Sequence, residues 1–106
     1  MRKTMYWVRD GKPNIELFFS LLDKVRGEIT EIEFEKMCSF SKGSLKKMRS
    51  GKRPISETTV STIAYVIYSR DLGSLDTFER HGIVMTLVKY AGYRISTDGG
   101  KNESIS

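Results

Sequence analysis

Two short helical segments separated by a tight turn dominate the reading of this chain. Thr30 followed three residues later by Glu33 forms a capping box, and Ile32, Phe34 and Met37 continue it into a short helix that stops at Cys38 to Phe40. Ser41 then caps a further helix, Lys42 to Arg49, in which Leu45 and Met48 face inward and Gly51 supplies the stop.

The second of these segments is unusual in its charge. At about 100° per residue, Lys42, Gly43, Lys46, Lys47 and Ser50 fall within an arc of roughly 140°, opposite Leu45 and Met48. From Lys42 to Arg53 there are six basic residues and no acid. The whole chain has 18 Lys plus Arg against 13 Asp plus Glu, so this stretch accounts for essentially all of the net charge of +5. A basic face of this kind is either a solvated surface or a contact for a polyanion. Its position on the second of two helices joined by a tight turn, followed by the cationic loop Gly51-Lys52-Arg53-Pro54, matches the layout of a helix that reads a nucleic-acid groove.

The remainder of the chain supplies the support. At 106 residues it suits one compact domain. Residues 1–13 read as a short strand or ordered arm, because Thr4 to Val8 is aromatic and β-branched and Asp10-Gly11-Lys12-Pro13 is turn chemistry. Asn14 caps a first helix with Ile15, Phe18, Leu21, Leu22 and Val25 on one arc, ending at Gly27. Ser56 caps a fourth, with Val60, Ile63, Ala64 and Ile67 as its stripe, closing near Asp71-Leu72-Gly73.

The stretch Leu75 to Gly92 is apolar on several sides. Leu75, Phe78 and Met85 share one helical face, while Ile83, Val84, Leu87 and Val88 occupy the rest of the circumference. The expectation is a fifth helix, with a β-hairpin as the competing reading. A helix of this kind needs a second surface, so Ile83, Val84, Leu87 and Val88 are expected to form a homodimer contact. Tyr93 to Thr97 reads as a short strand pairing with the N-terminal arm or with its copy in a partner chain, and residues 98–106 as a disordered tail.

Other chemistry is sparse. One cysteine, Cys38, and one histidine, His81, exclude a disulfide framework within the chain and any Cys/His metal cage of known spacing. Cys38 is expected in the core and His81 at a surface or helix end. No phosphate loop, catalytic carboxylate pair or nucleophile motif is present, so neither an enzyme nor a cofactor is expected. No run approaches a membrane span, and Arg9 and Asp10 interrupt any signal-peptide core, so the protein is expected to be soluble, unprocessed and cytoplasmic.

From Asn14 to Arg70 the sequence resembles the phage-repressor or Cro-like (XRE-type) helix-turn-helix family. The resemblance lies in Phe34, Met37, Ser39-Phe40-Ser41, Leu45, Met48 and Gly51-Lys52-Arg53-Pro54, followed by Val60, Ile63, Ala64 and Ile67. Three departures stand out. Glu35 occupies a position that is usually a small alanine, Ser39 replaces the turn glycine, and Arg49 stands where an acid is common.

The expected fold is all-α, a compact five-helix lambda-repressor-like domain with short terminal β-strands, in which 74–97 lies outside the resemblance and is the expected dimerisation element on its apolar run. The resemblance itself implies a helix-turn-helix DNA-binding domain over 14–73. It also implies that Lys42, Gly43, Lys46 and Lys47 lie in the major groove, where lysine donates to guanine O6 and N7. Ser41, Ser44 and Arg49 would then flank the groove, and Thr30, Ser50, Lys52 and Arg53 would contact phosphates. The function so implied is a transcriptional regulator of the repressor type, bound as a homodimer to a palindromic operator in double-stranded DNA. The rival readings are an antitoxin or accessory module that binds a protein partner, and a nonspecific or RNA-binding basic domain.

Overall fold

The computed structural model describes residues 5–70 and 75–97. Along the chain these form β1 (Met5–Arg9), α1 (Ile15–Arg26), α2 (Glu31–Met37), α3 (Ser44–Arg49), α4 (Glu57–Ser69), α5 (Thr77–Tyr90) and β2 (Tyr93–Thr97). The described residues thus make a small all-α domain of five helices with one short two-stranded ribbon. Among the described residues no helix is long and apolar enough to cross a membrane.

Each of the longer helices begins where a side chain satisfies its first free amides. Asn14 Oδ1 accepts from the Leu17 amide at 3.0 Å, and Ser56 Oγ from the Thr59 amide at 3.2 Å. Two helices carry full capping boxes. Thr30 and Glu33 exchange side-chain and backbone bonds at the start of α2, as the sequence predicts, and Asp76 and Glu79 do the same at the start of α5. The amide and hydroxyl of Thr30 hold the Glu33 carboxyl below the usual carboxylate range.

One apolar cluster joins all five helices. It contains Phe18, Phe19 and Leu22 from α1, Phe34 from α2, Leu45 and Met48 from α3, Val60, Ile63, Val66 and Ile67 from α4, and Val84, Leu87 and Val88 from α5. A helix of six residues such as α3 has little stability of its own. Full burial of Leu45 and Met48 contributes roughly 1.5–3 kcal/mol each and holds it to the rest.

The run from Leu75 to Gly92 is helical, and its apolar circumference is covered from within. Helix α5 packs against α1, α4 and β2, so Val84, Leu87 and Val88 are almost fully buried in the protomer's own core. This corrects the expectation that these three residues meet a partner copy. Only Ile83, at the margin of the cluster, stays partly accessible. The face shared by Phe78 and Met85 points outward instead, with Phe78 86% exposed.

Strand β2 pairs with the N-terminal arm of the same chain, antiparallel, from Met5↔Thr97 to Arg9↔Tyr93. The ribbon is fastened to the helices where the two ends cross. The Asp10 amide donates to the Gly92 carbonyl and the Asn14 amide to the Tyr90 carbonyl, both at 2.6 Å. Gly92 has φ +87°, and a Cβ there would meet the Gly11 carbonyl oxygen at 2.8 Å, so only glycine fits this crossing. The Arg9 guanidinium lies 4.3 Å from the centre of the Tyr93 ring and donates to the Ala91 carbonyl. The expected end of α4 near Asp71-Leu72-Gly73 and the expected tail at 98–106 lie outside the described residues.

Candidate nucleic-acid interface

Helices α2 and α3 pack on each other across a turn whose backbone is closely held. The Cys38, Ser39 and Phe40 amides donate to the Phe34, Lys36 and Glu35 carbonyls. Ser39 has φ +60°, the one non-glycine among the described residues with a positive φ. The resemblance leads to the expectation of a glycine at this position, and the backbone adopts the conformation that a glycine would favour. Cys38 lies 4% exposed beneath the turn. Burial first, and the Glu35 charge second, push its thiol up to about 12, so it is an unreactive core group.

Helix α3 begins two residues later than the sequence pattern suggests. It starts at Ser44, with Gly43 as N-cap at φ +87° and no side-chain cap of its own. Ser41 therefore does not cap it through its hydroxyl. The cap comes from α2. Glu35 is 3% exposed, and its Oε1 accepts from the Gly43 amide at 3.1 Å while Oε2 accepts from the Leu45 amide at 2.8 Å. Lys42 and Gly43 accordingly lie in the turn rather than on the helix.

The proposed contact residues divide into two groups. Ser41, Lys42, Lys46, Lys47, Ser50, Lys52 and Arg53 are exposed on α3 and the chain immediately before and after it, with Gly43 half-buried among them. No acid interrupts the chain between the buried Glu35 and Glu57. Ser44, Arg49 and Thr30 are engaged elsewhere. Ser44 is 4% exposed and accepts from Arg53 Nη1 at 3.2 Å. Thr30 Oγ1 is taken up by the α2 capping box.

Arg49 turns back onto α1. It donates to both carboxylate oxygens of Asp23 at 3.1 Å and to Glu31 Oε1 at 3.2 Å, and its guanidinium carbon sits 4.5 Å from the centre of the Phe19 ring. The hydrogen bonds to Asp23, opposed by burial and helped by the charges of Asp23 and Glu31, raise the pKa of Arg49. The place expected to flank a groove is thus an internal clasp between α3, α1 and α2.

Beside the turn lies a concavity of about 320 Å³ that the sequence did not reveal, lined in part by Ser39, Ser41, Arg53, Ser56 and Thr58. The start of α4 is thereby brought next to the basic loop. His81 is remote from this region and exposed, with Nδ1 3.0 Å from the Tyr68 hydroxyl on α4.

No family model matches the chain, and neither a curated protein nor a solved structure matches it.

Proposed function

We propose that the protein is a sequence-specific DNA-binding transcriptional regulator of the helix-turn-helix type. The observation that carries this reading is the short α3, held across α2 by a tight turn, with Lys46 and Lys47 exposed and Lys42, Lys52 and Arg53 around it in a stretch without acids. Side chains of this length on such a helix reach guanine acceptors in a major groove, while the flanking cations neutralise phosphates. In this reading Lys46 and Lys47 read bases and Lys42 joins Ser50, Lys52 and Arg53 at the backbone. The action is that of a cytoplasmic repressor, working as a homodimer on a two-fold operator because one short helix specifies few base pairs.

The dimer face has to lie away from Val84, Leu87 and Val88. A groove between α1 and α5, lined by Leu17, Leu21, Leu75, Phe78, Ile83 and Tyr90, offers apolar surface for a second copy. The same exposed Phe78 favours the second reading, a module that binds a different protein.

Selection of bound fragments from a random duplex library tests the function directly. The expected result is one enriched motif, bound more tightly than scrambled duplex or RNA at the same salt concentration. Equal binding to all three polyanions would replace the reading with that of a nonspecific basic domain.

A further inference from the structure

We infer that Glu35 is a positioning residue for α3, setting the rotation and tilt at which Lys46 and Lys47 meet their target. This rests on the DNA-binding reading above.

The argument begins with the size of α3. Six residues cannot hold a direction by their own hydrogen bonds, so the direction is set by what grips the middle and the two ends. Leu45 and Met48 anchor the middle in the core. Arg49 fastens the last turn to Asp23 and Glu31. At the first turn Gly43 has no side chain, and among the described residues the side chain that takes up the free amides there is Glu35, while Arg53 reaches only the Ser44 hydroxyl. A single hydrogen bond would let the helix pivot. Two bonds from one planar carboxylate, to amides two residues apart, fix roll as well as distance.

The same contact changes what α3 can offer a ligand. The Gly43 and Leu45 amides point at Glu35, so they are not available to a DNA phosphate, and the Glu35 charge opposes an anion at that end. Recognition then falls to side chains farther along the helix. Lysines on flexible stems discriminate bases only if their Cα positions are held, because a displacement of about 1 Å is enough to spoil a directed contact.

The test compares wild type, Glu35→Gln and Glu35→Ala on the selected duplex and on a scrambled one, with amide hydrogen exchange at Gly43 and Leu45 measured on the same proteins. Glu35→Ala is expected to lose about tenfold or more of the preference for the selected duplex. Its affinity for the scrambled duplex, which depends on phosphate contacts, is expected to stay within about twofold. Glu35→Gln presents one acceptor where two are needed. One of the two amides should exchange faster, and the preference should fall between those of the other proteins. A folded Glu35→Ala protein that keeps the full preference would overturn the positioning role while leaving the DNA reading intact. If Glu35→Ala does not fold, Glu35→Gln decides, since faster exchange at either amide with full preference overturns the role equally. Absence of any duplex preference in wild type would remove the DNA reading and this inference with it.

Discussion

Arg49 meets both carboxylate oxygens of Asp23 at 3.1 Å, tying the last turn of α3 to α1 across 26 residues of chain. The Asp23 carboxyl is held below its ordinary value of 3.8, chiefly by the hydrogen bond from Arg49, against desolvation and with help from Arg26. A carboxyl whose folded pKa is depressed contributes stability that is present above the ordinary value and is lost as pH falls through the folded one. The stability gap between wild type and Asp23→Asn should therefore be open at about pH 7 and narrow at about pH 3. Urea midpoints at the two pH values measure it, and an equal gap at both would remove the ion pair as its source.

Arg49→Ala should cost on the order of 1 kcal/mol, because the pair is more than a third exposed and screened by solvent. The effect on DNA should be distinctive. Arg49 is committed to Asp23, Glu31 and Phe19, so its removal should leave the salt dependence of duplex binding unchanged. Removal of the charge at Lys52 or Arg53 should instead reduce the slope of log affinity against log salt by about one. A reduced slope in Arg49→Ala would show that the arginine leaves its clasp on binding.

Ser39→Gly should raise stability by a few tenths to about 1 kcal/mol. The left-handed conformation at φ +60° costs a side chain about 1–2 kcal/mol, partly offset by the greater freedom of glycine in the unfolded chain. An upward shift of the urea midpoint at constant slope is the expected signature. A downward shift would assign the Ser39 hydroxyl a contact worth more than the strain.

What the sequence makes legible here is local. Asn14, Thr30 and Ser56 announce helix starts because their partners lie three residues away. The long-range partners leave no such trace. The acceptors for Gly43 and Leu45 sit eight and ten residues back on a side chain, Glu35, which stood out in the sequence only as a departure from the family it resembles. Arg49 is one more cation in a basic run until the fold sets Asp23 and Glu31 beside it. The capping box of α5 follows the same three-residue rule, with Asp76 and Glu79 in the places that Thr30 and Glu33 hold in α2.

Lys46→Ala and Lys47→Ala separate base reading from phosphate contact. For a lysine that reads a base, affinity for the selected duplex should fall by about 1–3 kcal/mol and affinity for scrambled duplex far less. Equal losses on both duplexes would move that lysine to the backbone group with Lys52 and Arg53.

Val84→Asp and Phe78→Ser distinguish core from contact on a single helix. Periodicity showed that α5 is apolar all round, but it could not say whether the cover comes from the same chain or another. The fold supplies α1, α4 and β2 on the side of Val84, Leu87 and Val88, and leaves Phe78 outside. Val84→Asp should bury an unpaired charge, costing several kcal/mol, and should unfold the protomer rather than dissociate it. Phe78→Ser removes an apolar ring from water and should leave the unfolding transition nearly unmoved. If the groove between α1 and α5 holds the second copy, wild type sediments as a dimer at micromolar concentration, while Phe78→Ser sediments as a monomer and binds the two-fold operator more weakly. Wild type sedimenting as a monomer, with one protein bound per duplex site, would sink the dimer and leave the groove to a foreign partner.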